Sequence, residues 1–88
     1  MNQAKSLVLR VALALGRSGK TMPAPDLVPM LNAAGIRTTR GVPYTGGGRG
    51  IYTLVRATYD ELVGLGRQAD ADAVAAAFTR PDGSYAYN

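Results

Sequence analysis

The sequence predicts an all-α domain of about four helices, in a helix-turn-helix arrangement with an extended loop before the third helix. Apolar residues recur at helical spacing in successive segments, and Gly or Pro residues separate each segment from the next. The chain has 88 residues, of which 47% are hydrophobic, and this is enough for one small core. We expect residues 1–80 to form this single domain and residues 81–88 to form a C-terminal tail.

The first helix is predicted over residues 4–15, a stretch rich in Leu, Ala and Val without Gly or Pro. Gly16 and Gly19 supply the signal for its C-terminal end. Leu9 and Leu13 add apolar surface outside the main apolar stripe, so we expect this helix to be buried on more than one face. The stripe itself comprises Leu7, Val8, Val11, Ala12 and Leu15.

A short second helix of about two turns is predicted after a loop over residues 18–25. Pro29 constrains its start, because an interior proline lacks a helical hydrogen-bond donor and clashes with the preceding turn. An N-cap at Asp26 places Pro29 in the first turn, where that donor is not needed. Gly35 is the expected C-terminal stop. The apolar side then comprises Leu27, Met30, Leu31 and Ala34.

The connection over residues 36–44 has no apolar periodicity and predicts extended backbone, with a candidate hairpin at Arg40 and Gly41. Thr45 is a good N-cap for a third helix over residues 46–65. Glycines dominate the first turns of that helix and make its start intrinsically weak. We therefore expect tertiary contacts or a ligand to order this helix start.

The third helix divides into two faces when its residues are placed at about 100° intervals around the helix axis. One face is expected in the core and comprises Ile51, Leu54, Val55, Thr58, Leu62 and Leu65. The opposite face comprises Arg49, Tyr52, Thr53, Arg56 and Asp60. Basic, aromatic and hydroxyl side chains come first on this outer face, and acids follow only afterwards. This polarity is typical of a helix whose N-terminal part contacts DNA.

A fourth helix is predicted from an Asp70 N-cap to about Thr79, after glycines break the third helix. A Pro-Asp-Gly sequence at residues 81–83 predicts a turn. We expect residues 84–88 either to be loose or to dock on a partner chain. The apolar side of the fourth helix comprises Val74, Ala77 and Phe78.

Absent residue types exclude several classes of function. The chain has no Cys and no His, so disulfides, Cys or His zinc sites and Ser-His or Cys-His nucleophile pairs cannot form. Asp60 and Glu61 are adjacent and point apart on a helix, which disfavours an acid/base pair. We expect no enzyme activity, no cofactor and no small-molecule substrate.

The longest apolar stretch, residues 7–15, contains Arg10 and is too short for a membrane span, so a cytoplasmic location without membrane contact is expected.

The net charge of +4 is segregated along the chain. Residues 1–20 carry four Lys or Arg residues and no acid, and residues 37–56 carry four Arg residues and no acid. Two such segments are typical of a surface that follows a phosphate backbone. An ordinary solvated surface would also explain these charges. In particular, the bases of residues 1–20 either contact DNA or only keep the first helix soluble.

The candidate DNA contacts differ in their chemistry. Residues 37–40 are expected on phosphates, because a mobile loop positions a protein better than it discriminates bases. Backbone N–H groups in the glycine-rich start of the third helix suit close approach to a phosphate. Arg suits guanine bidentately, and Thr suits a thymine methyl group or a phosphate. The candidate residues are Arg37, Thr38, Thr39, Arg40, Thr45, Gly47, Gly48, Arg49, Tyr52, Thr53 and Arg56.

Residues 31–45, LNAAGIRTTRGVPYT, resemble a segment of large serine recombinases and related plasmid regulators. In that segment Leu-Asn, Gly-Ile, a Thr, Arg-Gly and an aromatic-Thr pair precede a helix, and the resemblance implies DNA binding. With the helix that follows, it covers about a third of the chain. The chain departs from the pattern with Tyr44, where Trp is common, and with the glycines after Thr45. As a whole, the chain is similar to the KorC-like transcriptional repressors of broad-host-range IncP plasmids, and a recombinase catalytic domain does not fit in the remaining residues.

Together these patterns predict a transcriptional repressor that binds a two-fold operator in double-stranded DNA as a homodimer and blocks promoter access. The alternative is a small protein-interaction or DNA-bending accessory module without repressor activity. An affinity that depends on salt but not on sequence would favour the alternative. Surplus apolar residues such as Leu9 and Leu13 belong either to the core or to a dimer seam. The candidate seam residues are Val74, Phe78 and Tyr85.

Overall fold

The computed structural model describes residues 1–45 and 50–86 of the chain. These residues form mostly helix, in agreement with the predicted all-α class, together with one small sheet that the sequence analysis did not predict. No helix in these two ranges is long and apolar enough to cross a membrane. A 3₁₀ turn at Ala24–Asp26 precedes the second helix. In chain order the elements are α1 Gln3–Ser18, β1 Met22–Pro23, α2 Leu27–Ala33, α3 Gly50–Gly64, α4 Gln68–Ala77 and β2 Phe78–Thr79.

Helix α1 is longer than the sequence predicts and passes through Gly16 to end at Ser18. Its start is fixed by Asn2, whose side-chain oxygen accepts a hydrogen bond of 2.9 Å from the Lys5 backbone N–H. Leu9 is buried and Leu13 is partly buried against the core, outside the main apolar stripe. The prediction that α1 is buried on more than one face is therefore confirmed, and these leucines belong to the core.

Glycines in the left-handed conformation follow helices α1, α2 and α3, at Gly19, Gly35 and Gly66. After α2, the Ile36 N–H donates to the Leu31 carbonyl at 3.0 Å, which satisfies an end carbonyl of the helix. The predicted stop at Gly35 is therefore confirmed. The α3 stop has a consequence for Leu65, which was predicted in the core. Leu65 lies one residue beyond the end of α3, so the helical spacing that placed it on the core face no longer applies to it. Its side chain is 57% exposed.

The predicted helix starts are less accurate than the predicted ends. Asp26 occupies the N-cap position of α2, but its side chain makes no capping hydrogen bond because the 3₁₀ turn leads directly into the helix. Helix α4 begins at Gln68, two residues before the predicted cap at Asp70. Asp70 instead accepts a hydrogen bond of 2.9 Å from Arg67 Nε. The predicted start of the third helix at residue 46 lies outside the described residues.

The small sheet joins two segments that are far apart in sequence. Strands β1 and β2 are parallel, with Met22 opposite Phe78 and Pro23 opposite Thr79. Two-residue strands have no alternation of apolar and polar residues to detect, which is why the sequence did not predict them. The sheet fixes the segment after α1 against the segment after α4.

The described residues of the predicted tail, 81–86, fold back on the same chain. The predicted turn is present, with the Gly83 N–H donating to the Arg80 carbonyl at 2.9 Å. The Ala86 N–H then donates to the Phe78 carbonyl at 2.9 Å, and Thr79 and Tyr85 form an antiparallel bridge. Ala86 is only 2% exposed. This hairpin, residues 78–86, packs on the domain through its first and last residues, because Phe78 and Ala86 are both buried in the core.

The core lies between α1, α3 and α4, which pack closely against one another. Val74 and Phe78, predicted as dimer-seam residues, have no exposed surface in the single chain. Both side chains therefore belong to the core of the single chain, which is the alternative that the sequence analysis left open for them. Tyr85 is 44% exposed.

Candidate nucleic-acid interface

The loop between α2 and α3, residues 36–44, is fixed at its end by Asn32. The Asn32 Nδ2 donates to the Tyr44 carbonyl at 3.1 Å, and the Tyr44 N–H donates to Asn32 Oδ1 at 3.2 Å. One side-chain amide thus satisfies both backbone groups of Tyr44, as a neighbouring strand would. The sequence analysis did not identify this contact, although Asn32 and Tyr44 both belong to the segment that resembles recombinases. We call residues 36–44 the anchored loop.

A tight turn lies at the tip of the anchored loop. The Thr38 N–H donates to the Val42 carbonyl at 2.9 Å, and the Gly41 N–H donates to the Thr38 carbonyl at 2.8 Å. Gly41 has a φ of +79°, a conformation that a side chain would disfavour. The candidate hairpin at Arg40 and Gly41 is therefore present as a hydrogen-bonded turn without regular strands. The turn gives residues 37–40 a hydrogen-bonded backbone conformation, which the sequence analysis did not predict beyond a candidate hairpin.

The turn separates the predicted DNA contacts of the loop into two groups. Thr38 is half-buried, and its Oγ1 accepts a hydrogen bond of 3.4 Å from the Val42 N–H. Its role is therefore within the turn. Arg37, Thr39 and Arg40 are exposed. The turn thus directs two cations and one hydroxyl group to solvent from a closed backbone.

The two faces of α3 agree with the helical wheel over the residues that the structure describes. Ile51, Leu54, Val55, Thr58 and Leu62 are buried. Thr58 tolerates burial because its hydroxyl group donates to the Leu54 carbonyl at 2.7 Å. On the outer face Thr53 and Arg56 are exposed and Tyr52 is half-buried.

Tyr52 is covered on one side by an arginine from the hairpin. The Arg80 guanidinium carbon lies 4.4 Å from the centre of the Tyr52 ring, and Arg80 Nη2 donates to the Ala86 carbonyl at 3.3 Å. No sequence pattern indicates this contact, because it depends on the hairpin folding back beside α3. The contact covers one face of the ring, and Tyr52 also packs against the core. The contact also brings a second cation, besides Arg56, to the part of the outer face of α3 that the structure describes.

The remaining predicted contacts precede α3 in the sequence. Gly47, Gly48 and Arg49 lie outside the described residues. Thr45, the predicted N-cap, is exposed at the end of the described loop. The structure therefore describes two groups of exposed or half-buried candidates: Arg37, Thr39 and Arg40 on the anchored loop, and Tyr52, Thr53 and Arg56 on α3.

The basic charge of residues 1–20 is partly neutralised within the fold. The Lys5 ammonium donates to Glu61 Oε1 at 2.9 Å and so joins the start of α1 to the later part of α3. This hydrogen bond holds the pKa of the Glu61 carboxyl below its ordinary value of 4.5. Lys5 is therefore paired with an acid of the same chain, whereas Arg10, Arg17 and Lys20 are exposed.

The helix packing differs in one respect from the predicted helix-turn-helix arrangement. In that arrangement the second helix packs against the third. In the described residues the closer contact with α3 comes from the 3₁₀ turn before α2, while α2 packs against α1. Within the same ranges, no three acidic side chains lie together in a group that could hold a metal ion.

Comparisons with protein-family models, with curated proteins and with solved structures found no match to this chain. The candidate interface is therefore defined by its own residues. It combines the exposed side chains of the anchored loop with the outer face of α3, and we call these together the basic interface.

Proposed function

We propose that this protein is a sequence-specific DNA-binding transcriptional repressor, a homodimer that binds a two-fold operator and blocks promoter access. The observation that carries the proposal is the anchored loop, which presents Arg37, Thr39 and Arg40 to solvent from a hydrogen-bonded backbone. No acid occurs between Asp26 and Asp60, so the segment that contains the basic interface is uniformly cationic or neutral.

A fixed loop favours specific binding for an energetic reason. Ordering a flexible backbone costs about 1–2 kcal/mol per residue, and a loop that is ordered beforehand avoids that cost when it binds. The Asn32 hydrogen bonds and the turn supply this order in the unbound chain. Arg37 and Arg40 then bind phosphates or guanine edges with little further loss of entropy.

The outer face of α3 supplies the groove contacts of the proposal. The major groove of B-DNA accepts an α-helix, and Arg and Thr side chains match base edges and phosphates there. In the proposed complex, Thr53 and Arg56 enter the major groove as part of a helix-turn-helix variant. The Arg80 guanidinium beside Tyr52 adds positive charge at the edge of this contact.

A competition gel shift tests the proposal. The probe is a set of DNA fragments from around the gene itself, with excess nonspecific DNA at near-physiological salt. We expect a discrete shift that survives the competitor, because specific binding exceeds nonspecific binding by about 10³-fold or more. Loss of every shift under competition would contradict sequence-specific binding. Retained binding without sequence preference would instead indicate the DNA-bending or interaction module.

Point variants locate the contact once an operator is found. We expect Arg40→Ala and Arg56→Ala each to weaken operator binding by about tenfold, which corresponds to a lost arginine contact of about 1–3 kcal/mol. Arg17→Ala is the matched control, because Arg17 is an exposed arginine in the last turn of α1 and belongs neither to the anchored loop nor to α3. Thermal melts of each variant separate loss of contact from loss of folding. Affinities equal to that of Arg17→Ala would exclude this surface.

A further inference from the structure

A groove with a mixed polar and apolar lining lies between the first half of α1 and the anchored loop. It consists of two adjoining depressions of about 290 and 300 Å³, and Gln3 and Ile36 line both of them. Arg10 of α1 lines one depression, and Arg37 of the anchored loop lines the other. We call this feature the α1 groove.

The charge of the α1 groove has one sign. Its described lining includes Arg10 and Arg37 but no Asp or Glu. Neutral polar side chains, Gln3 and Ser6 on α1 and Thr39 on the loop, complete the polar part of the lining. Such a surface attracts an extended anion, because each depression has one cation and hydrogen-bonding groups in its lining.

Arg10 and Lys5 lie on the same helix and differ in their partners. Lys5 donates to Glu61 on α3 and is committed to the fold. Arg10 is exposed and forms no ion pair with an acid in residues 1–45 or 50–86. Of these two cations, Arg10 is therefore the one that can bind an anionic ligand.

We propose that the α1 groove binds the sugar-phosphate backbone of DNA, with Arg10 and Arg37 on phosphate oxygens. This inference rests on the proposed function. The groove is continuous with the basic interface, because Arg37 and Thr39 belong to both. DNA that reaches the turn at Arg40 thus meets the groove directly, which favours a DNA backbone over an unrelated acidic partner. Helix α1 is then a second point of backbone contact, which fixes the orientation of the domain on the duplex.

The salt dependence of DNA binding tests this contact. The affinity of the full chain for its operator is measured over a series of salt concentrations, for the wild type, Arg10→Ala, Arg37→Ala and the control Arg17→Ala. Each phosphate contact contributes about 0.9 to the slope of log K against log salt, so we expect Arg10→Ala and Arg37→Ala each to reduce the slope by about 1. Arg17→Ala should leave the slope unchanged.

The sequence preference is measured in the same variants with a scrambled competitor. Phosphate contacts carry no sequence information, so Arg10→Ala should weaken the operator and the scrambled DNA equally. If Arg10→Ala has the slope of Arg17→Ala while the wild type still binds its operator, the α1 groove is not a backbone site and the proposed function stands. If the wild type itself does not bind DNA, both proposals fail. Binding of an acidic peptide to the groove with an unchanged DNA slope would also overturn the inference.

Discussion

The ion pair between Lys5 and Glu61 shows how a single contact links distant parts of this chain. The residues are separated by 56 positions, yet the Lys5 ammonium lies 2.9 Å from the Glu61 carboxylate. Both side chains are partly exposed, so solvent and salt reduce the strength of the attraction. The pair nevertheless favours the ionised carboxylate, and the lowered pKa of Glu61 expresses this. Stability therefore depends on pH through this residue.

Glu61→Gln tests that dependence. Because the folded-state pKa of Glu61 lies below the unfolded value of 4.5, the ion pair stabilises the fold at pH values above 4.5. Its contribution is lost as the pH falls through the folded-state pKa. We expect the wild type to be more stable than Glu61→Gln above pH 4.5 and the two to converge in more acidic solution. Urea unfolding over a pH series measures the difference.

The control for this prediction is Asp26→Asn, which removes an exposed carboxylate from the N-cap position of α2. Asp26 makes no capping hydrogen bond through its side chain. Its removal should therefore not reproduce the acid-dependent convergence. A constant difference between the wild type and Glu61→Gln at every pH would contradict a role for the charge of Glu61.

At the scale of elements, two glycines of α1 have opposite roles. Gly16 lies inside the helix, and a Cβ added there would meet no atom within 4 Å. Gly19 lies just past the helix end with a φ of +66°. We expect Gly16→Ala to raise the free energy of unfolding by about 0.5–1 kcal/mol, because alanine favours the helix. Gly19→Ala should lower it by about 1–2 kcal/mol, because the left-handed conformation strains a side chain.

Urea denaturation of the two variants beside the wild type measures these opposite shifts. Each variant adds one methyl group, one inside α1 and one just past its end, so each is the chemical control for the other. The slope of the denaturation curve should stay constant, since neither change alters the surface exposed on unfolding. Shifts of the same sign would contradict a helix that contains Gly16 and ends before Gly19.

Local sequence patterns predict some features of these elements and not others. The end of α2 at Gly35 was predictable because the hydrogen bonds that close the helix join residues only a few positions apart. The inner face of α3 was predictable because five of its residues follow helical spacing into the core. The sheet, the hairpin and the Asn32 contact with Tyr44 were not, because each depends on hydrogen bonds between segments that only the fold brings together. In the candidate site, the exposure of Thr53 and Arg56 on α3 was predictable from helical spacing. The hydrogen bonds that anchor the loop and the contact of Arg80 with Tyr52 were not.

At the scale of the whole molecule, the hairpin determines which surfaces are free. It buries Phe78 and Ala86 in the core and places Arg80 beside Tyr52 on α3. Tyr85 remains 44% exposed on the same hairpin. One short segment therefore contributes to folding through Phe78, whereas its contribution to a homodimer would come through Tyr85. Variants at these two positions separate folding from dimerisation.

Phe78→Leu should lower the free energy of unfolding by about 1–2 kcal/mol, because the smaller side chain leaves part of a fully buried site unfilled. In a domain of this size each kcal/mol corresponds to about 4–8 °C in Tm. Tyr85→Ala should leave that stability nearly unchanged at low protein concentration and weaken self-association. Circular dichroism melts and sedimentation velocity over a concentration series measure the two effects. Unaltered self-association of Tyr85→Ala, beside a wild type that forms dimers, would place the dimer seam elsewhere on the molecule.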